Sequence, residues 1–291
     1  MNIGKAILMG LIQGLTEFLP VSSSGHLSIV KCIFNLDTDT GILFDILLHV
    51  ATLIAICAVY YRDIIKLIVE FFGIVADLFH NMITFFKNIG NVDVSYRKVV
   101  NSSYRKFVVL LIVSTIPTGI LGFLLKDIVE YVGSSLLVPG VCLIGTGIIL
   151  IVSDLLNSGN KKPKDANYGD AFAIGAAQGI ATLPGLSRSG STITACLLCG
   201  FDRRFATKYS FIMSIPAVIG AFILEISDIS KESISGSDVG CYIVGMVVAV
   251  VVGYIALRLT MKLVAGRYFK YFAYYCLAVG AIAIIAFVIL L

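Results

Sequence analysis

Residues 4–26 read GKAILMGLIQGLTEFLPVSSSGH, and residues 169–191 read GDAFAIGAAQGIATLPGLSRSGS. At a constant offset of 165, with no gap, eight of 23 positions are identical: Gly4/Gly169, Ala6/Ala171, Gly10/Gly175, Gln13/Gln178, Gly14/Gly179, Ser22/Ser187, Ser24/Ser189 and Gly25/Gly190. Self-similarity of this kind marks an internal structural repeat. Both copies sit in apolar stretches, about 4–35 and 169–200, that polar, Gly- and Pro-rich sequence breaks in the middle. Each half is too short to cross a bilayer alone, which takes about 20 apolar residues.

The rest of the chain is built for lipid. Hydrophobic residues make up 58% and charged residues 14%, with mean hydropathy +0.97; a soluble domain carries about 25% charged residues. Six segments are long and apolar enough to cross: about 41–61, 106–125, 136–155, 205–225, 239–260 and 271–291. Runs of this length predict helices; a barrel would show alternating strands of about ten residues. No cleavable signal peptide is expected, since no basic region precedes a clean apolar core. The seven cysteines lie mostly in apolar runs and read as small buried thiols. Cys196 and Cys199 form a C-x-x-C without a second ligand pair, so neither metal nor redox chemistry is read there.

Basic residues sort by loop. Arg62, Lys66, Lys87, Arg97, Lys98, Arg105 and Lys106 follow the first span, Lys161, Lys162 and Lys164 the third, and Arg258, Lys262, Arg267 and Lys270 the fifth. The alternate loops hold only Lys126 and Lys231, among Asp127, Glu130, Asp228, Glu232 and Asp238. The positive-inside rule puts loops 62–105, 156–168 and 258–270 in the cytoplasm. The net charge of +4 reflects this topology and gives no footprint for nucleic acid. Residues 62–88 carry Asp63, Lys66, Glu70, Asp77, His80, Thr84 and Lys87 as a narrow polar stripe among Ile, Leu and Phe. The stripe predicts an amphipathic helix at the cytoplasmic interface or against the bundle, with His80 solvated.

Three spans separate the two copies, so the second copy enters from the opposite side. The expected fold is an all-α integral membrane protein, one domain over 1–291. Six transmembrane helices and two re-entrant helix–loop–helix segments are arranged in it as an inverted-topology repeat of about 1–155 and 169–291. Irregular backbone at membrane depth is tolerated only where protein buries it or it lines a polar cavity. That requirement brings residues 17–26 beside residues 184–192.

The two loops carry complementary chemistry. In LPGLSRSGST, Pro184-Gly185 ends one helix and Ser187, Arg188 and Ser189 open the next. A helix N-terminus favours phosphate, and arginine adds a planar fork of donors. Ser22, Ser24 and Gly25 in the first loop, with Ser187, Ser189 and Thr192 in the second, are the expected phosphate-binding positions. Some of these serines serve as N-caps. Glu17 is suited to a divalent cation or to acting as a base, and Ser23 to nucleophilic attack. His26 is suited to acid–base work or to attack in its own right. Gln13, one turn before Glu17, either faces the site as a weak metal ligand or shares a structural role with Gln178. Asp45 and His49, one turn apart in the first span, form either a second polar cluster on the cavity or a helix-to-helix hydrogen bond. Ionisable residues at this depth are costly and generally functional.

These motifs resemble the bacterial undecaprenyl-diphosphate phosphatase (bacitracin-resistance protein) family. Its signatures are (Glu/Gln)-x-x-x-Glu running into P-x-S-S-x-G-H, and P-G-x-S-R-S-x-x-T. Here they read Gln13 to Glu17, Pro20 to His26, and Pro184 to Thr192. The resemblance implies removal of the terminal phosphate of undecaprenyl diphosphate on the outer side of the bacterial cytoplasmic membrane. That reaction recycles the carrier lipid for peptidoglycan and other wall polymers and confers bacitracin resistance. It further implies a requirement for Mg²⁺ or Ca²⁺. Glu17, Ser23, His26 and Arg188 would be the catalytic residues, with Ser22, Ser187, Ser189 and Thr192 supporting them. The expected partners are a prenyl diphosphate lipid and the surrounding membrane lipid, with a homodimer compatible. The rival reading is a transporter or flippase for a phosphorylated prenyl lipid, because inverted repeats of broken helices also build transporters.

Overall fold

The computed structural model describes residues 1–34, 42–90, 94–133, 135–157, 159–229 and 236–290. Lys231 and Glu232, two of the loop charges that orient the chain, lie outside the described residues. Among the described residues the chain forms ten α-helices and no strand: α1 (Ile3–Phe18), α2 (Ser23–Phe34), α3 (Ile42–Ile89), α4 (Ser103–Gly133), α5 (Leu137–Leu155), α6 (Tyr168–Ile180), α7 (Arg188–Leu198), α8 (Arg203–Ile229), α9 (Gly236–Ala265) and α10 (Phe269–Leu290). Six of them, α3, α4, α5, α8, α9 and α10, are long and apolar enough to cross a membrane. The protein is a multi-pass helical membrane protein. Helices suit that solvent because they satisfy their backbone polar groups internally.

The short helices begin and end where local chemistry dictates. The Asn2 side chain caps α1 by accepting from Lys5 N at 2.8 Å. Asn167 caps α6 by accepting from Asp170 N at 2.7 Å, and Asp170 accepts in return from Asn167 N at 3.1 Å. α3 is continuous in hydrogen bonding, but Tyr60 leaves helical geometry (φ −105°, ψ 19°). That kink separates the membrane span from the amphipathic continuation that the polar stripe predicts. The stripe is paired rather than solvated over much of its length. Arg105 donates to Glu70 at 2.8 Å and to Asp77 at 2.5 Å, and holds the Asp77 carboxyl below the usual carboxylate range. Phe71, Phe72, Leu78, Phe79, Phe85 and Phe86 remain exposed on the other faces.

Small residues decide which helices touch. α1 packs on α9, α6 on α4, α5 on α10, and α3 on α8 and α9. A Cβ added to Gly10 would lie 2.4 Å from Gly245 O on α9, and one added to Gly175 would lie 2.0 Å from Ser114 O on α4. Gly14 and Gly179 repeat the pattern one turn on, at 2.8 Å from Ala249 O and 2.6 Å from Leu121 Cβ. The repeated glycines therefore mark two helix crossings of the small-x-x-x-small type, in which backbones approach closely. On the far side of α9, Ile243, Val247, Val251 and Ile255 form an exposed apolar stripe at helical spacing.

Candidate active site

The breaks after α1 and α6 bring the N-termini of α2 and α7 together. Pro20 and Pro184 interrupt their helices because proline removes an N–H and blocks the preceding turn. Ser22 takes φ 70° and Gly185 φ 96°, both left-handed, so each chain turns back sharply before the next helix. The Gly185 carbonyl accepts from Thr146 Oγ1 of α5 at 2.9 Å, and Thr146 Oγ1 accepts from Ser187 N at 2.9 Å. The loops touch each other. A Cβ on Gly25 would lie 2.9 Å from Gly185 Cα, and Gly185 N donates to Ser24 Oγ at 3.4 Å.

The offset of 165 has a local meaning here. Ser22 Oγ accepts from Gly25 N at 3.3 Å, and Ser187 Oγ accepts from Gly190 N at 3.0 Å. Each also contacts the hydroxyl two residues on, Ser24 and Ser189, at 3.3 Å. Ser22 and Ser187 are the helix caps. The residues that follow them differ: Ser23 is the first residue of α2, and Arg188, at the corresponding position, is the first of α7.

Both converge on Glu17, whose position is 7% exposed. Glu17 Oε2 accepts from Ser23 Oγ at 2.6 Å and from Gln13 Nε2 at 3.1 Å. Glu17 Oε1 is ion-paired with Arg188 Nη2. Arg188 Nη1 is buried and has no partner in the protein. A guanidinium fixed through one nitrogen, with the other free, is pre-organised to bind an anion.

These groups line a cavity of about 400 Å³. Its polar wall holds Glu17, Ser22, Ser23, Ser24, Ser187 and Arg188, joined by Asp45 and His49 of α3. Its apolar wall includes Leu186 and Ala217, Val218, Ala221 and Phe222 of α8. Both readings of Asp45 and His49 hold: the two side chains line the cavity, and Asp45 also makes a helix-to-helix bond from α3 to α2. Asp45 is ion-paired with Lys31, and His49 Nε2 stands 4.0 Å from Glu17 Oε2.

Several expected site residues lie elsewhere. His26 is outside the cavity lining: its Nδ1 is 2.7 Å from Ser22 O, and its Nε2 is 2.8 Å from the Tyr275 hydroxyl of α10. The two rings stack at 5.5 Å. Gly25 forms the contact between the loops. Ser189 and Thr192 are buried on α7, outside the cavity lining; Thr192 Oγ1 donates to Arg188 O at 2.8 Å and meets Ser210 Oγ at 2.5 Å. Gln13 is fully buried and gives its amino group to Glu17, with Gln178 similarly turned to Thr118 Oγ1 at 3.4 Å.

A divalent cation held by the protein needs several free oxygen or nitrogen donors in one place. Both Glu17 oxygens are taken by protein donors, and among the described residues no group of three or more His, Cys, Asp and Glu side chains converges. These residues do not fit a metal held by the protein alone.

Comparison with known proteins shows the family. The family model described as "Bacitracin resistance protein BacA" matches residues 6–282. The chain is 40% identical to the undecaprenyl-diphosphatase of Methanosphaera stadtmanae over 290 residues, covering 100% of both chains. It is 39% identical to that of Alkaliphilus metalliredigens, covering 98% of each, and 41% identical to that of Treponema denticola, covering 96% of each. With paired loops that place Glu17, Ser23 and Arg188 in one cavity, and with matches over essentially its whole length, the chain belongs to the bacitracin resistance protein BacA family.

Proposed function

We infer that the protein hydrolyses undecaprenyl diphosphate to undecaprenyl phosphate and inorganic phosphate, recycling the carrier lipid of cell-wall synthesis and conferring bacitracin resistance. The observation that carries this reading is the geometry around Glu17. A serine hydroxyl bonded to a carboxylate at 2.6 Å sits beside a guanidinium with a free, buried nitrogen. Those are the parts phosphoryl transfer needs: an activated nucleophile, positioning and charge neutralisation.

In this reading Arg188 Nη1 and the positive ends of α2 and α7 hold the terminal phosphate. Ser23 Oγ attacks its phosphorus, and Glu17 accepts the serine proton. The apolar wall of α8 receives the first isoprene units. The loop charges orient the chain so that the N-terminal end of α3 and the C-terminal end of α8 face outward. Asp45 and Phe222 lie toward those ends, which supports a cavity facing the outer side of the cytoplasmic membrane. The packing also supports an inverted repeat. Exchanging each helix for its counterpart turns the α1–α9 contact into α6–α4, and the α5–α10 and α3–α8 contacts into themselves. A divalent cation, Mg²⁺ or Ca²⁺, would neutralise charge on the diphosphate and would arrive with the substrate rather than in a protein cage.

A carrier would bind the same headgroup but has no use for a serine set against a carboxylate. Protein purified in detergent and given prenyl diphosphate decides the matter. Wild type releases inorganic phosphate, and Ser23→Ala loses at least about 10²-fold in rate. Binding without release by wild type would favour the transporter.

A further inference from the structure

The cavity holds one imidazole, that of His49, and nothing in the reaction described above uses it. Its Nδ1 lies 2.9 Å from the carbonyl oxygen of Asp45, one turn back on α3. A carbonyl only accepts, so Nδ1 carries the proton, and in the neutral ring Nε2 is an acceptor. Nε2 stands 4.0 Å from Glu17 Oε2, a second acceptor, and the side chain, 37% exposed, lines the cavity. Two acceptors at that separation have no hydrogen to share and are too far apart for a direct bond. A water molecule has two O–H donors and spans such a gap. The same Glu17 oxygen holds Ser23 Oγ at 2.6 Å. A water bridging His49 and Glu17 is therefore a neighbour of the atom that would carry the phosphoryl group. The other charged groups near His49 are Arg188, paired with Glu17, and Asp45, paired with Lys31 of α2.

We propose that His49, by accepting a hydrogen bond at Nε2, orients the water that hydrolyses a phosphoserine formed at Ser23. The proposal rests on the reading of Ser23 as nucleophile. In the first step the Ser23 Oγ–P bond forms and the diphosphate bridge breaks. The serine proton passes through Glu17 to the departing prenyl phosphate. In the second step the water oxygen bonds to phosphorus and the Ser23 Oγ–P bond breaks. One water proton reaches Oγ through Glu17, and the other leaves on hydrogen phosphate. His49 ends each turnover as it began, fixing the direction of the water lone pair.

The test is rapid quench of purified protein with a prenyl diphosphate labelled in its terminal phosphate. His49→Ala should release one equivalent of prenyl monophosphate in a burst and accumulate labelled protein at Ser23. Its steady-state phosphate release should fall about 10²-fold, the effect of misplacing a reactant by an ångström. The burst itself reports folded sites. His49→Gln, whose amide oxygen reaches the same place, should recover most of the lost rate. His49→Ala turning over as wild type, or slowing without labelled protein, would overturn the proposal. So would a His49→Gln variant as slow as His49→Ala, because the imidazole would then be moving a proton. Failure of the underlying reading looks different: Ser23→Ala would still release phosphate.

Discussion

Glu17 is the residue on which this site turns. It is one buried carboxylate with three protein donors and a fourth group, His49, at 4.0 Å. Such a charge persists only because Arg188 offsets it, and removing one partner of a buried pair costs about 3–5 kcal/mol. His26 has a different part. A serine in left-handed geometry costs about 1–2 kcal/mol, and Ser22 is held there by the His26 ring on its carbonyl and by its own cap bond to Gly25. Because Ser22 sets the direction of Ser23, His26 acts, in the proposed mechanism, on the attacking hydroxyl through the backbone. His26→Ala should therefore lower phosphate release strongly. His26→Asn, whose amide places an N–H where Nδ1 stands, should recover part of it. Equal loss in the two variants would show that the ring does more than brace the turn. The sequence makes both imidazoles visible but not which one lines the cavity. That choice depends on a positive φ at a serine, which no residue-level rule predicts, and on the face that α3 presents to α1. Thr192 misleads for a related reason. Its spacing from Arg188 is one helical turn, and a turn of helix carries a hydroxyl back to its own carbonyl as readily as forward to a ligand.

At the scale of elements, the repeated glycines and the repeated serines do separate jobs. Gly10 and Gly175 let α1 and α6 lie against α9 and α4, and Ser22 and Ser187 start α2 and α7. Both jobs are legible in the sequence as an offset of 165, because the residues that shape a broken helix recur when the shape recurs. The helix partners are not legible there, since a small residue says that something comes close and not what. The expected spans begin within about three residues of the observed helices, but α4 runs eight residues and α9 five past the expected ends, and α3 continues past Tyr60. Gly175→Ala should destabilise the protein by about 1–3 kcal/mol, as overpacking does, because its methyl would lie 2.0 Å from Ser114 O. Gly119→Ala on α4, with nothing within 4 Å, is the control. Thermal unfolding in detergent should show a lower Tm for the first and no loss for the second. Equal Tm values would mean that α6 does not depend on that close approach.

At the scale of the molecule, neither half contains a complete site. The first supplies Glu17, Ser23 and His49, and the second supplies Arg188 and the α8 wall. This division explains why a chain so apolar keeps its polar residues in two clumps far apart in sequence. Each clump is tolerated in a membrane only when the other covers it. The central claim is that Arg188, reaching across from the second half, binds the phosphate that Ser23 attacks. The most direct measurement is the initial rate of phosphate release from prenyl diphosphate by Arg188→Ala, at matched amounts of folded protein. The account predicts a fall of about 10²-fold or more. A rate within a few-fold of wild type would contradict it.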